Sequence, residues 1–228
     1  MKFLAKITEG LKPSTKKLKY SLLKSLFNFV KNTVIPDLSN PCDSAILAKS
    51  FRAAKLPPWN ILERDTVDEF IFKTENSRNR LMLELMARGG MRIGEVRKLK
   101  PRDVQERKLH LPNPKSGRAS EVVFIPQKVA HRLREYIADE NIQNDGRIFP
   151  LGYTRAREIV KNAGMKIGID VKPHDLRRHA ATYASRSGVP IEIVSKIILR
   201  HANLSTTQRY LGKVSDTEAM HWIENIYR

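Results

Sequence analysis

One cysteine, Cys42, stands in 228 residues, so no disulfide can close within the chain. No Cys/His cluster has the spacing of a zinc site. Long apolar runs are missing too. Stretches such as LLKSLFNFV at 22–30 are interrupted by lysine and fall short of the ~20 residues that a membrane span needs. The opening MKFLAKITEG carries positive charge without the continuous apolar stretch of a secretory leader, and a reducing, cytoplasmic setting is expected. Carboxylates are scarce, and Asp170, Asp175 and Glu158 form no recognisable ligand set for a two-metal nuclease. The segment GGMRIGE at 89–95 lacks the GxxxxGKS/T pattern of a nucleotide-hydrolysing phosphate loop.

Base is abundant where acid is scarce. The chain has 42 Lys and Arg against 24 Asp and Glu, a formal net charge of +18, well beyond what solubility requires. A polyanion is the expected partner. Nucleic acid comes first, because neutralising phosphates releases counterions; a membrane surface comes second. With 41% apolar and 29% charged residues, the composition is that of a packed protein of one or two domains.

Residues 14–33, STKKLKYSLLKSLFNFVKNT, place Leu18, Leu22, Leu26, Phe29 and Val30 on one helical stripe among lysines. That stripe is expected to face either a core or DNA. A turn-rich break follows, then a short helix within 43–53. KLPPWN at 55–60 reads as a linker, which divides a helical domain over 1–56 from a larger one over 57–228. Beyond it, ERDTVDEFIFKT and NSRNRLMLELMARGG predict two helices, the second ended by Gly89 and Gly90. RIGEVRKL predicts a short helix. DVQERKLHLP and SEVVFIP alternate around the polar turn NPKSGRA, which predicts a β-hairpin or small antiparallel sheet with Lys115 at its tip. Helices are predicted within 127–140, 153–168, 174–188, 190–202 and 215–228. The class is mainly α with a small antiparallel sheet.

His174 and Arg177 lie one turn apart on one helical face. Alone, such a pair is usually a surface or capping pair. Here it has company: Arg92 follows a glycine pair, His201 comes 27 residues after His174, and Tyr210 nine residues later. The order Arg, Lys, His-x-x-Arg, His, Tyr resembles the catalytic domain of the tyrosine recombinase and phage-type integrase family. GGMRIGEVRKLKPRDV resembles its first arginine box and KSGRASEVVFIP its hairpin lysine segment. PHDLRRHAATYASRSG and ILRHANLSTTQRYL resemble its second box and its His and Tyr box. The resemblance spans roughly residues 60 to 215.

It implies double-stranded DNA as substrate, a catalytic domain behind a short core-binding (SAM-like) domain, and no cofactor or metal. Arg92 and Arg177 would clamp the phosphate, Lys115 would be the hairpin acid, and His174 and His201 would be phosphate or proton partners. Tyr210 would be the nucleophile. Glu95 would orient side chains, although a plain helix ion pair explains it nearly as well. The chemistry suits these types. Two guanidinium forks meet the charge on nonbridging oxygens by bidentate hydrogen bonds. A tyrosine of pKa near 10 is ionised to about one part in a thousand at neutral pH, a deficit of about 4 kcal/mol that nearby cations offset. The leaving 5′ hydroxyl needs a proton, for which Lys115 is the choice, Lys108 the competitor, and Arg118 too weak an acid.

Two features depart from the family. Arg200 stands where a glycine usually precedes the histidine, and it would either alter the turn or add a phosphate contact. The front is short, so the family's first core-binding helix is expected to be absent. The tail, with Ala219, Trp222, Ile223 and Ile226 near one face, would dock on a neighbouring subunit in a homo-tetramer on DNA. His110, His131 and His179 are expected to be structural or exposed, and Trp59 and Trp222 packing anchors. Two other readings stay open: a type IB topoisomerase-like relaxing activity, which needs no partner duplex, and a helix-turn-helix binder formed by 187–211, which would leave no protein attached to DNA.

Overall fold

The computed structural model describes residues 2–52, 61–112, 120–208, 211 and 216–226. The chain divides into two compact units, Met1–Pro57 and Pro58–Arg228.

Unit 1 holds α1 (Lys2–Thr8), α2 (Pro13–Thr33) and α3 (Ala45–Ser50). Pro13 starts α2 where its missing N–H costs nothing. α1 lies ahead of it, where the sequence predicts no element. The unit's core is small: Leu4, Tyr20, Cys42 and Leu47, backed by Ile7, Leu23, Phe27 and Phe51. Tyr20 stacks on Phe51 at 5.3 Å between ring centroids, and its hydroxyl donates to the Cys42 carbonyl at 2.8 Å. The inward stripe of α2 is therefore Tyr20, Leu23 and Phe27. Of the two expectations for the predicted stripe, facing a core is not the one it meets: Leu18, Leu22, Leu26 and Phe29 are 57, 61, 55 and 62% exposed. α2 is apolar on two sides, and the side with Tyr20, Leu23 and Phe27 is the one that meets Cys42, Leu47 and Phe51.

Unit 2 is organised around α5 (Ser77–Arg88), in which every residue from Leu81 to Ala87 is buried. A stretch buried on every side belongs at the centre of a core; its one charge, Glu84, is paired with Arg132, and each buried Leu or Met contributes about 1.5–3 kcal/mol. Asn76 caps it by accepting from the Asn79 N–H at 3.0 Å. α4 (Arg64–Phe72), α7 (Gln127–Asp139), α8 (Tyr153–Met165) and α9 (Pro173–Arg186) supply the surrounding core with Phe70, Leu133, Val160 and Leu176. A three-stranded antiparallel sheet, β1 (Val104–Gln105), β2 (Lys108–Pro112) and β3 (Ser120–Phe124), packs Leu109, Leu111 and Val123 onto it. Its register sets Lys108 opposite Phe124 and Pro112 opposite Ser120, so the β2–β3 connection is residues 113–119.

Behind α9 the predicted single helix breaks into α10 (Ile191–Ile193) and a wider π turn over Val194–Ile198, closed by Leu199 N–H to Val194 O at 2.9 Å. Such widening often marks a functional turn. The turn ends on Arg200 in the left-handed region, φ +52°, a conformation that costs a non-glycine residue about 1–2 kcal/mol. α11 (Leu204–Gln208) and α12 (Asp216–Ile226) follow. Among the described residues no helix is long and apolar enough to cross a membrane.

Candidate active site

Three chain segments meet around the Arg177 guanidinium. The first is the start of α6 (Ile93–Val96), where Arg92 is the residue before the helix and Glu95 is one turn on. The Glu95 carboxylate accepts from the Arg92 backbone N–H at 2.8 Å and from Arg92 Nη1 at 2.5 Å. The acid thus caps the helix and aims the guanidinium, whose side chain stays 28% exposed. Ahead of it, Gly90 has φ +60°, and a Cβ there would sit 2.9 Å from the Ile198 carbonyl oxygen. Only glycine admits this approach between the α5–α6 turn and the π turn.

The second segment is the first turns of α9, begun by Pro173. Arg177 is 1% exposed, and its two terminal nitrogens donate to the carbonyls of Gly90 and Leu199. That fork fixes the guanidinium plane between the other two segments. His174, one turn earlier, is exposed. Partial desolvation, then the charges of Arg177, Arg178 and Arg92, lower its pKa, with Asp175 opposing. Because the ring meets solvent, the three cations are the firmer cause.

The third segment is the end of the π turn. His201 Nδ1 lies 2.9 Å from Thr207 Oγ1, and that hydroxyl donates to Ser195 Oγ at 2.8 Å. If Thr207 gives its proton to Ser195, its oxygen is left to accept from His201 Nδ1–H. Burial, then Arg177, Arg92 and Arg200, push the His201 pKa down to about 4, so the ring is neutral at pH 7. Glu95 is pulled in both directions: burial raises its pKa, and Arg200, the Arg92 hydrogen bonds and Arg177 more than offset this, holding it below the ordinary carboxylate range.

Arg92, Glu95, His174 and Arg177 line one cleft of about 390 Å³, with Arg97 and Tyr153 on its wall. A larger groove of about 810 Å³ lies elsewhere, by α4, α5 and α7. It is lined by mixed pairs such as Arg132 with Glu84, 2.6 Å apart, and by none of the residues above. Among the described residues no group of three or more His, Cys, Asp or Glu could hold a metal ion.

Lys115 and Tyr210 both lie outside the described residues, as do Arg118, Trp59 and Tyr227. Lys108 opens β2 at the end away from the 113–119 connection, and the cleft is lined by His110 to Pro112 rather than by Lys108. His179 is 6% exposed, with Nδ1 2.7 Å from the Leu62 carbonyl, and it stacks on Tyr183. His131 is an exposed partner of Glu135, and His110 bonds Gln105 at 3.0 Å on the cleft side. Sequence reasoning did not single out Thr207 and Ser195, which set the His201 tautomer, or Glu121, which pairs with Arg200. The polar STT run beside His201 was the available signal for Thr207; a lone Glu on an alternating strand gave none for Glu121.

Comparison with known proteins identifies the family. Residues 60–216 match the family model described as Phage integrase family. Tyrosine recombinase XerA of Pyrococcus horikoshii is 30% identical over 222 residues, covering 92% of this chain and 73% of that protein. A tyrosine recombinase of Thermosipho africanus is 32% identical over 217 residues, covering 90% and 74%. The solved structure of XerH site-specific recombinase, bound to palindromic difH substrate in a post-cleavage complex, superposes with a TM-score of 0.75. It is 20% identical and covers 100% of this chain and 69% of that one, a likeness of fold. This chain belongs to the phage integrase family of tyrosine recombinases.

Proposed function

We propose that this chain cleaves and rejoins double-stranded DNA at a specific site through a covalent 3′-phosphotyrosyl bond to Tyr210, exchanging strands between two duplexes. Tyr210 Oη attacks phosphorus, the P–O5′ bond breaks, and the 5′ hydroxyl leaves. Rejoining is the reverse attack by a 5′ hydroxyl. Because the phosphodiester energy is kept in the tyrosyl bond, no nucleotide is consumed. The observation that carries the reading is the shared cleft of Arg92, His174 and Arg177, with His201 close enough to Arg92 and Arg177 for both to depress its pKa.

The roles follow from the charge states. Arg92 and Arg177 offer guanidinium charge to the nonbridging oxygens as the transition state forms. Neutral His174 accepts the tyrosine proton, since the surrounding cations leave it unprotonated. Lys115 donates to the leaving 5′ oxygen. Glu95 holds Arg92 and takes no proton, its own pKa being lowered. Guanidinium groups supply the charge that magnesium supplies in a two-metal nuclease, so cleavage proceeds in EDTA.

Unit 1 acts as a short core-binding domain against the duplex, and the assembly on DNA is a homo-tetramer joined through the C-terminal segment. In support, α12 exposes Met220 at 63% and Ile223 at 58%, while the Trp222 ring comes to rest by Gly188 of its own chain.

The test is a nicked suicide duplex carrying a site selected by the protein from randomised DNA. After denaturation the wild type remains attached to the 3′ side of the break. Tyr210→Phe removes the adduct and keeps DNA binding within about tenfold, since one hydroxyl is lost. An adduct that persists in Tyr210→Phe reassigns the nucleophile, and none with wild type overturns the reading.

A further inference from the structure

Three described residues other than glycine have positive φ: Glu106, Asn141 and Arg200. The first two sit in exposed turns. Arg200 alone is buried, with 2% of its side chain exposed. Its backbone favours glycine and its surroundings penalise charge, so two independent costs stand against an arginine here. A buried ion pair is weak evidence of a stabilising purpose, which directs attention to what the guanidinium holds.

It holds two segments together. Nη2 donates to Glu95 Oε2 at 2.7 Å and Nε to Glu121 Oε2 at 3.2 Å, with further bonds from Nη1 to the Ile198 carbonyl at 2.8 Å and from Nη2 to the Gly90 carbonyl at 3.5 Å. Glu95 is the carboxylate that aims Arg92. Glu121 lies in β3, 5% exposed, one residue past the strand's start at Ser120, and so just beyond the 113–119 connection that contains Lys115. One planar fork therefore spans from the acid behind Arg92 to the strand that leaves the lysine segment. The backbone N–H of the next residue, His201, is itself tied to Ser195 O at 2.9 Å.

We propose that Arg200 is a positioning residue for strand cleavage: by bridging Glu95 and Glu121 it locks the aim of Arg92 to strand β3, so that the arginine clamp and the hairpin keep one spacing around the scissile phosphate. The proposal rests on the cleavage reading above. It makes the departure from glycine at this position a part of the site rather than a tolerated accident. Lysine cannot replace it, because an ammonium lacks the planar fork that reaches two carboxylates at once. The charge of Arg200 also bears on His201, whose other charged neighbours are Arg177 from α9 and Arg92 ahead of α6, with Thr207 of α11 bonded to its Nδ1.

The experiment uses the full chain and the nicked suicide duplex, and compares wild type, R200G, E121Q and R200G/E121Q. It measures single-turnover adduct formation, DNA affinity, melting temperature and the pH profile of cleavage. In R200G, cleavage falls on the order of 10²-fold, the loss expected of a displaced catalytic group. DNA affinity stays within about threefold, since no phosphate contact is removed. The acid limb of the profile stays where His174 sets it, because Arg200 is not among the charges that face that ring, so the loss is one of rate at every pH. E121Q weakens one arm of the bridge and loses less.

The double variant separates positioning from stability: R200G/E121Q no longer buries an unpaired Glu121, so its melting temperature recovers while its cleavage does not. If cleavage recovers together with melting temperature, Arg200 is a stability element and the proposal is overturned. It is equally overturned if R200G cleaves like wild type. A wild-type chain that forms no adduct overturns the functional reading and the positioning role with it, whereas a wild-type adduct with undiminished R200G cleavage removes the positioning role alone.

Discussion

Unit 1 and unit 2 use apolar residues in opposite ways. In unit 2 the apolar surface and the space to bury it match: α5 is buried on every side, and the residues of α4, α7, α8, α9 and the sheet close over it. In unit 1, four buried residues and four partly buried ones make the core, and Leu18, Leu22, Leu26 and Phe29 are left outside. Where burial is complete, periodicity determines which face turns inward, and polar groups that enter the interior must be paired. Arg177, Arg200, Glu121 and Thr207 are all 5% exposed or less and each is bonded through at least one side-chain atom, Glu121 through Oε2 with Oε1 left unpaired. Where burial is partial, two stripes of one helix compete and the hydrophobic pattern does not choose between them.

The sharpest way to break that comparison is to remove core from unit 2. Leu85, fully buried in α5, should cost about 2–5 kcal/mol when cut to alanine, by lost transfer energy plus the cavity left behind. Urea unfolding followed by circular dichroism reads this directly. A loss below about 1 kcal/mol would mean that α5 is not the rigid centre it is taken to be here.

A smaller effect comes from the histidines whose pKa the fold lowers, His174, His179 and His201. His201 has an ordinary pKa of 6.5 lowered to about 4 in the fold, so the unfolded chain takes up this proton at a pH where the folded chain does not. The neutral ring's contribution is fully present above about pH 6.5 and is lost as pH falls toward about 4. His174 and His179, both lowered, add in the same direction. Melting temperature should therefore decline between pH 7 and 4.5, and His201→Asn should flatten part of the decline. A variant that declines as steeply as wild type would show that the cations around His201 are screened by water.

The sequence was most informative where a residue's chemistry is carried by its own type and spacing. Arg92, Glu95, His174, Arg177 and His201 could be named from the boxes, and the structure sets the first four around one cleft, with His201 within electrostatic reach of Arg92 and Arg177, because helix starts, a glycine pair and a proline are local signals. Most helix positions and the hairpin were legible for the same reason. Three things were not. The π turn looks in sequence like ordinary helix, since widening by one residue leaves the apolar pattern nearly intact. The bridge from Arg200 to Glu121 joins residues 79 apart, and no local pattern encodes a pairing at that range. The inward face of α2 was not legible because two apolar stripes share one helix, and the choice between them was made by Cys42, Leu47 and Phe51, which lie outside it.

The smallest expected effect is the most pointed test of unit 1. Leu22 is 61% exposed on α2, so Leu22→Ala removes little buried area and places the best helix former in an exposed helical position. The change in unfolding free energy should stay within about 0.5 kcal/mol, set against Tyr20→Phe on the same helix. That variant loses the bond to the Cys42 carbonyl, at about 1 kcal/mol. The order matters more than either value. If Leu22→Ala is the costlier of the two, the leucine stripe is covered in solution, the inward face of α2 is the one the sequence pattern first suggested, and the contrast between the two units collapses.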